Sequence, residues 1–443
     1  MPADVTSTIT PGGAPVTVTT TVSGQNASVT FNGTASQRVS LKLSGVTVGT
    51  STCCSVRVSI LKPDGSTLVT PQFVGTSGSF IDVQTLPATG TYTIFVDPQG
   101  TDFGSVTLTL YDVPADVTNT ITPGGAAVSV TTTIPGQNAS LTFSGTTSQR
   151  ISLQMTNVTI GTSSCCSVRV SILKPDGSTL VSPQFVGTSG SFIDVQTLPA
   201  TGTYTIVVDP QGTDVGGMTL TLFDVPADPT PSITAGGSAV TVTTTVPGQN
   251  ARPTFSGTAA QRISLKMTSV TIGTSSCCSV RVSILNPDGS TLVSPTFVGT
   301  AGGFIDVQTL ATTGTYTIVV DPQNADIGSI TLTLYSVPAD TTGTVTIGGS
   351  AVGVTLATPG QNGSLTFTGT SGQQATVHVT SNTMSTVQVT LFKPDGTQMT
   401  SAFTSATSFN LTTQSLTTTG TYTIKINPDS SNTGSLNISV TNP

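Results

Sequence analysis

Three pairs of adjacent cysteines hold every thiol of this 443-residue chain: Cys53 with Cys54, Cys165 with Cys166, and Cys277 with Cys278. Each pair stands in almost the same words, "STCCSVRVSIL" once and "SSCCSVRVSIL" twice. Neighbouring thiols can bond to each other, stay free, or bridge to another chain. Consecutive Cα atoms lie about 3.8 Å apart, below the usual 4.4–6.8 Å of a disulfide, so a bond between neighbours closes a strained ring. Strand parity adds a constraint. On a regular strand Cys54 shares a face with Val56, Val58 and Ile60 while Cys53 faces the other way, which buries one sulfur and exposes the other. A vicinal bond therefore has to end the strand at the pair. Bridges between successive pairs are ruled against by distance, since equivalent positions of neighbouring domains are a domain's width apart. Two thiolates are too few ligands for structural zinc. Vicinal disulfides at the three pairs are the leading expectation, with free thiols and interchain bridges as alternatives.

Other side chains offer little chemistry. His378 is the only histidine, and it takes the place of Lys42, Gln154 and Lys266, an outward strand position. All 20 acids are Asp, and no carboxylate stands in an evident pair, so the acid and base of a glycosidase are missing. Asp82, Asp97 and Asp102 recur as Asp194, Asp209 and Asp214 and as Asp306, Asp321 and Asp326. Carboxylates around a turn such as "DPQGTD" suit calcium, but the spacing matches no calcium loop, and Asn427 replaces the Asp in the last copy. The expectation is no catalytic site and no cofactor, with calcium a minor alternative. Sugar-stacking platforms are also hard to find. There is no Trp, the Tyr residues sit in strands where a tyrosine corner is the ordinary use, and Phe95 becomes Val207 and Val319 in later copies. Asn26, Asn138 and Asn362 open Asn-X-Ser triplets that read as polar strand ends.

The elements that carry these residues are strands. Thr, Val, Ser, Gly and Pro abound and Glu is absent, a bias toward strands and turns and away from helices. Only 7% of residues are charged, against roughly 25% in a typical soluble domain. The surface is therefore made polar by hydroxyls and amides, which suits an extracellular setting. A net charge of −7 with no basic cluster speaks against nucleic acid and anionic membranes. No apolar run is long enough for a membrane-spanning helix, and the first residues lack the charged and apolar regions expected of a signal peptide. Met1 stands where later copies have Val113, Val225 and Val337, as a start codon placed on a fragment of a longer protein would.

A "PAD" boundary recurs every 112 residues, at Pro2, Pro114, Pro226 and Pro338, and Tyr92, Tyr204 and Tyr316 keep the same interval. That is a domain's length, longer than a solenoid repeat of 20 to 50 residues. Domains are expected at 1–112, 113–224, 225–336 and, divergent and without cysteines, 337–443. Inside copy one, "ASVTFNG", "QRVSLKLS", "SVRVSIL", "FIDVQTL", "TYTIFVD" and "SVTLTLYD" alternate apolar with polar, the period of half-buried strands. Val39, Leu41 and Leu43 should face inward, Ser40 and Lys42 outward. "KPDG" at 62–65 has the chemistry of a tight turn. The expected fold is all-β: four tandem antiparallel β-sandwich, jelly-roll-like domains in a linear array, with one-residue linkers stiffened by proline.

The succession "PGQNASLTFSGTTSQRISLQM", "LKPDGSTL", "LPATGTYTIVVDPQG" and "MTLTLFD" in copy two resembles bacterial pre-peptidase C-terminal (PPC) type β-sandwich domains. Tandem copies look like those of very large secreted or surface proteins, RHS (YD) repeat proteins among them. The resemblance implies an accessory, non-catalytic module. The function expected is a structural stalk or spacer of a bacterial secreted or cell-surface protein, assembling laterally or end to end with other copies or cell-envelope components. The alternative is an adhesive or glycan-binding module, calcium-assisted. Neither nucleic acid nor membrane insertion is expected.

Overall fold

The computed structural model describes residues 3–443; Met1 and Pro2, the first residue of the opening "PAD" boundary, lie outside the described residues. No helix occurs among them. Repeat one contains β1 (Val5–Thr8), β2 (Val16–Thr19), β3 (Ala27–Gly33), β4 (Arg38–Ser44), β5 (Val56–Leu61), β6 (Thr67–Val74), β7 (Ser79–Thr85), β8 (Gly90–Pro98) and β9 (Ser105–Asp112). They form a five-stranded sheet in the order β1-β3-β8-β5-β6 and a four-stranded sheet in the order β2-β9-β4-β7. Alternation explains the faces. Val29 and Phe31 of β3, Tyr92 and Ile94 of β8, and Val58 and Ile60 of β5 meet Leu41, Leu43, Ile81, Leu108 and Leu110 of the other sheet in one cluster. Each fully buried aliphatic side chain contributes about 1.5–3 kcal/mol, so a cluster of this size supports a repeat of this length. Three further clusters of the same kind fill the later repeats.

One device recurs in all four cores. Tyr92, Tyr204, Tyr316 and Tyr422 are fully buried. Each hydroxyl donates to the carbonyl four residues earlier, Ala88, Ala200, Thr312 and Thr418, at 2.7–2.8 Å. The rings stack on Phe31, Phe143, Phe255 and Phe367 with centroids 5.2–5.4 Å apart. Phenylalanine would fill the same space but leave the carbonyl without its donor, which is the reason for Tyr here.

The expected fold class, four antiparallel β-sandwich, jelly-roll-like domains in a linear array, does not stand as written. The sheets are mixed: β1 runs parallel to β3, Val5 opposite Ala27. Val117–Thr120 pairs with Ala139–Gly145, and Thr341–Thr344 with Gly363–Gly369, in the same way. The physical reason is the crossover, since the chain passes through β2 in the opposite sheet before returning as β3 in the direction of β1. In repeat three Pro231 and Pro253 lack the amides for this pairing, and it shrinks to one bridge between Ser232 and Thr254. The chain also divides into two compact units, Met1–Val225 and Pro226–Pro443, each holding two repeats, where four separate beads in a row were expected. No ladder among the described residues joins strands of different repeats.

Within each unit the two repeats are docked. In the first, Arg38 pairs with Asp116 at 2.6 Å and donates to the Pro114 carbonyl at 2.9 Å. Beneath this contact the Val113 amide donates to the Arg38 carbonyl at 2.8 Å, the last rung of the β4–β9 ladder. Ser40, read from alternation as outward, is buried at 1% exposure, because repeat two covers it and its hydroxyl donates to the Pro135 carbonyl at 2.7 Å. Gly136, at φ +86°, passes so close that a Cβ there would lie 3.0 Å from the Ser40 Cβ. The second unit repeats this geometry with Arg262, Asp340, Pro338, Ser264, Pro359 and Gly360.

Candidate functional site

The cysteine pairs sit in the turn that leads into β5. Cys53 is bonded to Cys54, Cys165 to Cys166 and Cys277 to Cys278. β5 begins only at Val56 and both sulfur-bearing residues are exposed, so the expectation of one buried and one exposed sulfur does not apply. Ser51 closes the turn: its hydroxyl oxygen accepts from the Cys53 and Cys54 amides at 3.3 and 3.2 Å. The turn lies on Gly75, just after β6, where a Cβ would overlap the Thr52–Cys53 peptide; Gly187 and Gly299 serve the other two turns. Asp102 reaches the same end of the repeat, its carboxylate set against Gly49.

Register then assembles a row that sequence reading did not find. Arg57 of β5 stands opposite Asp97 of β8 on one side and Phe73 of β6 on the other. Asn26 precedes Ala27, which pairs with Val96, and so comes opposite Asp97. Asn, Asp, Arg and Phe thus cross four strands on the outer face of the five-stranded sheet. The row recurs as Asn138, Asp209, Arg169 and Phe185. In repeat three Arg281 stands between Asp321 and Phe297. Repeat four keeps only its ends, Asn362 and Phe403, with Asn427 and Gln388 between them. The guanidinium carbon lies 4.5–4.7 Å from the Phe ring centroid in the first three. Phe73, Phe185, Phe297 and Phe403 are 51%, 51%, 50% and 64% exposed. They form the consistent aromatic platform that Phe95, half-buried on β8, does not. The signal available in the sequence was a Phe seven or eight residues after each "PDG" turn, in "PQFV" twice, "PTFV" and "SAFT", which alternation alone does not place on either face.

The three recurrent Asp positions do not converge. Asp82 lies on β7 in the four-stranded sheet, where its carboxylate accepts from the Val83 amide at 2.7 Å. Asp97 belongs to the row, and Asp102 to the cysteine turn. Among the described residues no group of three His, Cys, Asp or Glu side chains comes together as a metal ion requires. At the first junction Asp82 does approach Asp209 of the next repeat. The Asp209 carboxyl is pushed up by burial first and then by the charge of Asp82, against the lowering effects of Gln211 and Arg169. Burial also raises Asp326. The turn aspartates go the other way: the hydroxyl and amide of Ser66 hold Asp64 low, and Ser178 and Ser290 do the same for Asp176 and Asp288.

His378 is half-buried, not freely solvated, and both ring nitrogens are engaged, Nδ1 with Asn410 at 2.8 Å and Nε2 with Thr441 at 2.7 Å. Recurrent surface grooves are lined by Thr8, Ile9, Thr30 and Asn32 in repeat one and by Thr120, Ile121, Thr142 and Ser144 in repeat two, none of which titrates.

No family model and no curated protein matches the chain. Among solved structures, the CUB1-EGF-CUB2 domain of human MASP-1/3 aligns at 9% identity over 47% of this chain and 100% of its own, with a TM-score of 0.17. Tripeptidyl peptidase 2 aligns at 10% identity over 91% of this chain and 29% of its own, TM-score 0.20. A chain of the Sulfolobus turreted icosahedral virus aligns at 14% identity over 71% of this chain and 83% of its own, TM-score 0.15. These scores carry no argument about function.

Proposed function

We propose that this chain is a non-catalytic structural segment, a spacer, of a large secreted or cell-surface protein, as its resemblance to bacterial PPC-type repeats implies. The observation that carries this reading is the docked junction. Arg38 and Ser40 tie two repeats together through an ion pair and two hydrogen bonds, and Arg262 and Ser264 repeat the arrangement. A flexible tether would need neither the charge pair nor a glycine at the crossing point. Strand addition at the β6 edge is disfavoured by Pro71 and by the register shifts between β5 and β6. The surface, poor in charge, and the vicinal disulfides suit an oxidising, extracellular location. The test is a distance distribution between spin labels at the exposed turn residues Ser66 and Ser178. A spacer gives a single narrow peak that broadens in Arg38→Ala, whereas a broad distribution in the unsubstituted chain refutes it. Hydrolase activity in a substrate screen would equally overturn the non-catalytic reading.

A second reading, an adhesive or glycan-binding module, is favoured by one observation: a half-exposed Phe at the same sheet edge in all four repeats. Spacing and adhesion are compatible, since the docked repeats of one unit would hold two copies of one surface at a set interval.

A further inference from the structure

Building on the adhesive reading, we propose that the Arg–Phe end of the row, with the neighbouring vicinal disulfide, is a carbohydrate subsite present three times, and that its ligand is a neutral glycan chain. Four features of the site support this. First, the platform is exposed where a soluble protein ordinarily keeps Phe inside, and it recurs without exception. Second, among the described residues no acceptor reaches the guanidinium groups of Arg57, Arg169 and Arg281. Their N–H forks, held over the rings at 4.5–4.7 Å, remain open to two oxygens of a ligand.

Third, the residues around the Phe change together while the Phe itself stays. Repeat four has lost the cysteine pair and has Gln388 for the Arg and Asn427 for the Asp. Ser405 follows Thr404, the partner of Val387, and so takes the place of Gly75, Gly187 and Gly299. The core of repeat four is intact, with Tyr422 and Phe367 stacked as elsewhere, so what it lacks is not needed for folding. Residues from three separate segments, the Cys53–Arg57 stretch, Gly75 and Asp97, that change together serve one purpose beyond stability.

Fourth, charge chooses among ligands. Each row carries one Arg and one Asp side by side, a balanced pair of donor and acceptor, and the whole chain carries −7. A polyanion would meet repulsion, whereas a sugar with adjacent hydroxyls can accept from the guanidinium and donate to the carboxylate while its apolar face lies on Phe and the disulfide. Asp, Arg and Phe stand on three adjacent strands at about 4.8 Å spacing, a span of roughly 10 Å, room for two hexose units.

The test is affinity electrophoresis of the full chain through gels holding hydroxyethylcellulose, dextran or mannan, with alginate as the charged control. Retardation by at least one neutral polysaccharide and not by alginate is expected. Phe73→Ala/Phe185→Ala/Phe297→Ala should abolish it. Arg57→Gln/Arg169→Gln/Arg281→Gln, which copies the residue repeat four already tolerates, should weaken it at least tenfold because linked sites reinforce one another. Circular dichroism checks that both variants fold. No retardation in any neutral gel, retardation by alginate alone, or full retention in the folded Phe variant each overturns the proposal. So does self-association of the chain that these substitutions remove without any polysaccharide effect, which would assign the patch to a second copy. None of these outcomes bears on the label distances that test the spacer.

Discussion

Replacing Arg38 by Ala removes two interactions at the first junction and leaves both cores untouched. The Arg38 and Asp116 side chains are 19% and 39% exposed. Opposite unit charges about 4 Å apart attract by roughly 4 kcal/mol at an effective dielectric constant of 20, but desolvation offsets most of that, and partly exposed pairs keep about 1 kcal/mol. The bond to the Pro114 carbonyl adds about 1 kcal/mol. The sum, about 2 kcal/mol, is roughly a 30-fold shift toward the undocked state. Amide exchange reads it directly. The Val113 amide donates to the Arg38 backbone carbonyl as the last rung of the β4–β9 ladder, which lies beneath the junction and frays once repeat two undocks, and the substitution preserves this bond. Its exchange should quicken about 30-fold, and that of Val337 should respond equally to Arg262→Ala, while the Ile94 amide in β8 stays unchanged. A change of less than threefold at Val113 would mean that apolar contact alone holds the junction. Equal acceleration at Ile94 would mean that the junction and the core unfold as one, and either result defeats the reasoning.

Tyr92→Phe should destabilise its repeat by about 1–2 kcal/mol and lower its calorimetric transition by several degrees, because the Ala88 carbonyl loses its buried donor; an unshifted transition refutes the role given to the hydroxyl. Asp209→Asn, the residue repeat four uses at Asn427, should raise the transition at pH 7. The raised carboxyl contributes stability below its unfolded value of about 3.9 and loses it as pH rises through the folded value, so the gain should vanish near pH 3. Cys53→Ser/Cys54→Ser should change stability by no more than about 0.5 kcal/mol, since neighbouring residues close no chain loop and both are exposed; a larger loss in urea unfolding would make the turn structural. Gly75→Ala should displace the cysteine turn, seen as new reactivity or altered amide shifts at Cys53 and Cys54, whereas the same residue introduced at Ser405 should have no effect.

Local pattern determined much of this protein. The alternation in "RVSLKLS" and "TYTIFVD", the turn at 62–65, the buried tyrosines and the 112-residue interval could all be read from the chain, because which side of a strand a residue faces depends only on its parity. Parity carries no information about neighbours across the sheet. Residues 26, 97, 57 and 73 become one row only through pairings spanning tens of residues, fixed by the order β3-β8-β5-β6 and by its register. Direction is equally invisible locally, so the parallel partnership of β1 with β3 depended on a crossover through the other sheet. Ser40 obeys its parity and is nonetheless buried, since a second repeat, and not its own core, removes it from water. What covers a residue, and what stands beside it, is decided by how distant segments close on one another, and that is the part only the tertiary structure supplies.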